Sequence, residues 1–291
     1  MAKLGTKKIV IIAVAVSFSF LITFSLQENF AQNESFSYDG IARAAIIDQL
    51  HDDIPSPYFQ DKATEYLETA GYEVDLYKTE ELTVDFFKKL PSLNYQFIVF
   101  RTHAIGHDGP NSNSFEEEPV SLFTGEKYRD DRYIQEQLSG QIGKGAPFMS
   151  RIIEVSADLS ELNNQNHTDG PVSVINTWDV IDTTNPYFLV GSKFVDELMY
   201  GKFNDSVLLL GGCSTLSNPS LARSLIDKGA SAVIGWDALV GSVQNDQVML
   251  SLLENLLINN MDIKDAVKSE ENMDQTYSPF NPNLLYYDGT V

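Results

Sequence analysis

The sequence predicts an α/β fold: a three-layer sandwich with a mostly parallel central sheet and helices on both faces. Three observations predict it. Short apolar runs that read as buried strands recur at 42–48, 95–100, 206–210 and 231–236. Helical patterns lie between them, which calls for right-handed crossovers and strands that run the same way. The 291 residues are 43% hydrophobic and 21% charged, an ordinary globular composition with enough chain for one large core.

The elements follow in chain order. Basic residues up to Lys8 precede an apolar run of 18 residues, Ile9 to Leu26. This pattern is a secretion signal or a membrane anchor over 1–31. Ala31 suits a cleavage point, whereas Asn29 suits it poorly, so both outcomes stay open. Lysines on the N-terminal side and acids beyond place the body outside the cytoplasm. Residues 32–40 are polar and read as a linker, and 41–291 as the α/β domain. Within it, 42–48 is a buried strand. Phe59, Ala63, Tyr66, Leu67 and Ala70 share a helix face over 58–70, which Gly71 stops. Glu73 to Tyr77 alternates like a strand. Val84 to Leu90 is a helix ended by Pro91, and Tyr95 to Phe100 is an apolar strand running into Arg101-Thr102-His103.

Residues 104–190 read as an insertion with extra strands and one helix near 130–138. The rhythm then returns. A helix covers Phe194 to Tyr200, and a strand over Ser206 to Leu210 runs into Gly211-Gly212-Cys213-Ser214. Asn218-Pro219 starts a helix that lasts to Gly229. A strand over Ser231 to Trp236 ends at Asp237. A long helix spans Val240 to Ile258, and a shorter one Asp262 to Glu270. The tail from Tyr277 is rich in Pro, Asn and Tyr and reads as surface chain.

The net charge of −21 argues against a nucleic-acid partner, because phosphate binding needs a basic surface, and it disfavours docking on anionic lipid. Membrane association is therefore expected only through the N-terminal segment. An acidic surface suits solubility and cationic substrates. Asn33, Asn166 and Asn204 begin glycosylation patterns, which are short and common. The single cysteine, Cys213, leaves no internal disulfide. Its thiol is either a small buried hydrophobe or a reactive group.

In a parallel α/β sheet, ligands sit beyond the carboxyl ends of the strands. Four strands end suggestively: near Asp48, His51, Asp52 and Asp53; at His103; at Cys213; and at Asp237. The fold would thus bring His103 and Cys213 together across 110 residues. The pairing makes chemical sense, because a thiolate is a nucleophile and an imidazole accepts or returns its proton. Amide N–H groups at Ala104, Gly212 and Cys213 could face an oxyanion, each such donor being worth about 3 kcal/mol. The bland alternatives are a strand-end histidine satisfied by backbone, a structural thiol, and Asp237 as a helix N-cap. His51 and His107 lie in loop-like acidic contexts and read as solvated. A metal site built from them and an Asp lacks ligand spacing. Trp178 and Trp236 read as core. Gly143-Lys-Gly145 lacks the phosphate-loop pattern.

Two segments carry a family resemblance: Phe97-Ile-Val-Phe-Arg-Thr-His103-Ala104 and Val207-Leu-Leu-Leu-Gly-Gly-Cys213-Ser214. The run from Leu221 to Trp236-Asp237 adds a helix, a Gly-Ala and an apolar strand ending in Trp-Asp. Together they resemble the caspase-like (clan CD) cysteine peptidases, closest in pattern to CHAT and separase-type domains. Ala104 stands where the family usually has Gly, and the His-to-Cys interval is long. The resemblance implies a thiol protease with a His103/Cys213 dyad, a polypeptide substrate and no organic cofactor. Calcium is the one ion it allows, because some relatives need it for activation. It also implies an acidic pocket for a basic P1 residue, for which Asp237 is the candidate and Asp52 an accessory. The rival is an inactive peptidase-like binding domain at the cell surface.

Overall fold

The computed structural model describes residues 42–106, 120–155, 173–180, 185–270 and 281–289, with the backbone alone for 148–155 and 173–180. The strands are β1 (Arg43–Asp48), β2 (Glu73–Lys78), β3 (Phe97–Arg101), β4 (Ala104–Ile105), β5 (Ser121–Lys127) and β6 (Ile142–Gly145). They continue with β7 (Phe148–Val155), β8 (Ser173–Val180), β9 (Tyr187–Gly191), β10 (Ser206–Gly211), β11 (Ala230–Trp236) and β12 (Leu284–Asp288). The helices are α1 (Pro57–Thr69), α2 (Val84–Lys89), α3 (Ile134–Leu138), α4 (Ser192–Leu198), α5 (Ser220–Asp227), α6 (Ser242–Leu253) and α7 (Ile263–Ser269).

The central sheet has six strands in the order β12-β11-β10-β3-β1-β2. Five are parallel, and β12 alone runs antiparallel, against β11. The continuous apolar runs of β1, β3, β10 and β11 are what a strand buried on both faces requires. Alternation divides their side chains between two cores. Ala45, Ile47, Ile98, Phe100, Leu208, Leu210 and Val233 face one, where Val84 and Phe87 of α2, Phe194 of α4 and Leu221 of α5 close over them. Ala44, Ile46, Phe97, Val99, Leu209 and Ile234 face the other, under Phe59 and Leu67 of α1, Val248 and Leu252 of α6 and Ala266 of α7. The fold is thus a mixed α/β sandwich with a mostly parallel sheet and helices on both sides.

The 104–190 region supplies a four-stranded antiparallel sheet, β4-β5-β9-β6, and a β7–β8 hairpin. Helix α3 falls where the pattern over 130–138 expects one. Several boundaries follow named local causes. Pro57 opens α1, and Gly71, at φ 91°, lets the chain leave it. The Thr83 hydroxyl caps α2 by accepting from the Phe86 N–H at 3.1 Å. The Asp262 carboxylate caps α7 by accepting from the Asp265 N–H at 2.8 Å.

Four expectations need correction. Pro91 does not simply end α2, because the chain continues through a short 3-10 turn, Leu90–Leu93, in which proline's fixed φ fits. Pro219 is the cap position before α5 rather than its first residue, and Asn218 Oδ1 accepts from the Ser220 N–H at 3.0 Å. The long helix starts at Ser242 and changes to a π turn over Glu254–Ile258. The tail is not merely surface chain: β12 extends the sheet, with Leu284 and Tyr286 packed on one core and Leu285 and Tyr287 on the other. No helix among the described residues is long and apolar enough to cross a membrane. The expected signal or anchor, the linker, His107, Asn33 and Asn166 lie outside the described residues.

Candidate active site

Because β1, β3, β10 and β11 run parallel, their carboxyl ends share one rim. The last paired rungs set Asp48 beside Arg101, and Arg101 beside Gly211. His103 and Cys213 each lie two residues past the Arg101–Gly211 rung, on strands about 4.8 Å apart. The Thr102 N–H donates to the Gly211 carbonyl at 2.9 Å, and the Ser214 N–H to the Ala238 carbonyl at 2.9 Å. These bonds tie the loops after β3, β10 and β11 together. Two glycines make the approach possible. A Cβ on Gly212 would fall 2.3 Å from the Thr102 oxygen, and one on Gly106 would fall 3.0 Å from the Ser214 oxygen. The backbone contact at Gly212 leaves no room for a side chain, and at Gly106 a Cβ would have to displace the Ser217 hydroxyl, 2.4 Å away.

His103 is 9% exposed. Its ring meets the Phe123 ring edge-on at 5.8 Å, and its backbone N–H donates to Gln49 Oε1 at 2.9 Å. Its Nε2 has no hydrogen-bond partner. Burial, assisted by the Arg101 charge, lowers the imidazole to about 4. Cys213 is half-buried against the core under α1, α6 and α7, and its Sγ donates to the Val240 carbonyl at 3.4 Å. Burial pushes the thiol above its ordinary value. The strand ends therefore meet, but no hydrogen bond joins sulfur and imidazole: Sγ is turned to Val240 and Nε2 is unpartnered. Both groups rest uncharged at neutral pH. The next residue, Ser214, is buried, holds a left-handed backbone at φ 53°, and has an unpartnered hydroxyl.

The acids divide differently from expectation. Asp48 belongs to a buried ion cluster. Its Oδ1 accepts from Arg101 Nη1 at 3.0 Å and its Oδ2 from Gln60 Nε2 at 2.6 Å. Arg101 also donates through Nε to Asp246 at 2.8 Å and through Nη2 to the Ile54 carbonyl at 2.8 Å. Gln60 Nε2 lies 2.8 Å from His51 Nδ1, so His51 is tied to this cluster rather than simply solvated. Asp52 sits exposed in the turn after β1. Asp237 is not the N-cap of α6, a position that Gly241 holds. Its two oxygens accept from the Asn283 N–H at 2.7 Å and from Asn283 Nδ2 at 2.8 Å, which anchors the start of β12. Ala104 lies in β4, paired with Leu122. Trp236 is core, as its sequence context suggests, and its Nε1 donates to Asn245 at 3.0 Å.

Sequence reasoning missed Arg101 and Gln49. The only local signal for Arg101 was a lone cation ending an apolar strand; its partners lie 53 and 145 residues away. Among the described residues, no group of three or more His, Cys, Asp or Glu side chains could hold a metal ion. Chemically, the rim offers a neutral thiol, a neutral imidazole past the end of the neighbouring strand, and closely packed loop amides. No protein-family model matches this sequence, and no curated protein matches it.

Proposed function

We propose that this chain is an extracytoplasmic cysteine peptidase of the caspase-like kind, with Cys213 as nucleophile and His103 as its proton acceptor and donor. One observation carries the reading: the two residues extend adjacent parallel strands by the same two positions beyond one shared rung. The mostly parallel sheet with helices on both sides is compatible with that reading.

The resting charges constrain the mechanism. Burial lowers the His103 imidazole to about 4 and raises the Cys213 thiol, and both shifts disfavour a preformed thiolate–imidazolium pair. In the proposed reaction the thiol proton passes to His103 as sulfur attacks the scissile carbonyl. His103 then protonates the leaving amine, and water hydrolyses the acyl-enzyme. Amides of Ala104, Gly212 and Cys213 are the proposed oxyanion donors. A basic P1 residue would meet Asp237 only if the substrate shared or displaced its bonds to Asn283, and Asp52 would have to act from solvent.

A second reading is an inactive peptidase-like binding domain at the cell surface. The Sγ–Val240 bond and the raised thiol favour it. Hydrolysis of fluorogenic Arg, Lys, Asn and Asp peptides by wild type and Cys213→Ala separates the two. Cleavage abolished by Cys213→Ala supports the peptidase. A folded wild type that cleaves none of them, and that an acyloxymethyl-ketone probe leaves unlabelled, supports the binding domain.

A further inference from the structure

We propose that Gln49 is a positioning residue for His103, an inference that rests on the peptidase reading but is drawn from the strand ends themselves. Strand β1 ends at Asp48 and the chain turns. The N–H groups of Gln49 and Leu50 both reach the Arg101 carbonyl, at 2.9 and 3.3 Å. The Gln49 carbonyl turns to the Thr79 hydroxyl at 3.2 Å. The β1 backbone has thus left the ladder just where the chain bearing His103 continues past it. The Gln49 side chain takes over as acceptor: its Oε1 receives the His103 N–H at 2.9 Å, and the Thr102 hydroxyl lies 3.4 Å from the same oxygen. From the far side, the Phe123 N–H holds the His103 carbonyl at 3.0 Å. The peptide units flanking the imidazole are therefore clamped between Gln49 and β5.

The choice of side chain has a cost. Gln49 is fully buried and its Nε2 has no partner. Leucine, of similar size, would carry no such orphan donor, but it could not accept the His103 N–H, which would itself be left buried and unpaired. Glutamine's acceptor oxygen is the property that the position uses.

The test compares full-length wild type, Gln49→Leu and Gln49→Glu. Hydrolysis of the peptide that wild type cleaves best is measured across pH, and the His103 ring and amide are followed by NMR. Misplacing the base by about 1 Å lowers kcat about 100-fold, so Gln49→Leu should lose activity on that scale. Its KM should stay within about twofold, because substrate contacts are untouched. Gln49→Glu keeps an acceptor for the His103 N–H and should recover at least about tenfold of the loss. Its carboxylate should also move the acidic limb of the pH profile upward, by favouring the imidazolium. Wild-type kcat in Gln49→Leu, a loss confined to KM, or a Gln49→Glu no better than leucine would overturn the proposal. If Gln49→Leu does not fold, an unmoved acidic limb in Gln49→Glu overturns it. If wild type cleaves nothing, the peptidase reading fails, and Gln49 is judged by NMR alone. A changed His103 titration and faster exchange of its amide in Gln49→Leu are then expected, and unchanged values refute the role.

Discussion

Acid should unfold this protein in part through one histidine. In the unfolded chain the His103 imidazole takes a proton near 6.5, whereas burial beside Arg101 holds it to about 4 in the fold. At pH 7 the native imidazole is neutral and the unfolded one is only about a quarter protonated, so the pH dependence is still shallow. As pH falls through 6.5 the unfolded state binds a proton that the native state refuses, so stability drops until about pH 4 and is flat below. The interval multiplied by 1.36 kcal/mol per pH unit is about 3 kcal/mol in total, of which about 2 kcal/mol falls between pH 7 and pH 5. Carboxylates also titrate in this range, so the measurement is a difference. Urea unfolding of wild type and His103→Gln is compared at pH 7 and pH 5. Wild type should lose about 2 kcal/mol more than the variant over that step. Equal losses, within about 0.5 kcal/mol, would show that the imidazole is not held neutral, and the burial argument would fail.

Two other outcomes follow from the same rim. Alkylation of Cys213 by iodoacetamide should be slow at pH 7 and still climbing at pH 9, because burial raises the thiol; a plateau below pH 8.5 would contradict the burial of the sulfur. Arg101→Met removes the cation from between Asp48 and Asp246, leaves the fully buried Asp48 carboxylate uncompensated, and should cost about 3–5 kcal/mol by chemical denaturation. A loss under about 1 kcal/mol would mean that water already solvates the cluster.

The architecture was legible in sequence wherever one segment suffices to define an element. Apolar runs without alternation named β1, β3, β10 and β11, and helical spacing named α1, because these signals are local. Candidate residues at strand ends were legible for the same reason: a parallel sheet sends every carboxyl end to one rim. β12 was not legible. Its apolar part, Leu284 to Tyr287, is only four residues long and sits behind a Pro- and Asn-rich stretch, so it does not stand out in the chain, and it becomes a strand because the open edge of β11 offers it a ladder. Nor were the hydrogen bonds of Asp48 and Asp237, whose partners Arg101 and Asn283 lie far along the chain.

What the chain determined by itself was which segments are buried strands and which chemical groups terminate them, since both depend on neighbours a few residues away. Only the tertiary structure decided what those groups touch. It gave the Arg101 guanidinium its two carboxylates, turned the Cys213 sulfur to the Val240 carbonyl, and put the Gln49 amide on the backbone of His103. Hydrogen bonds and charges act over a few ångströms, and which groups come within that reach is set by strand order and register across separations of up to 145 residues.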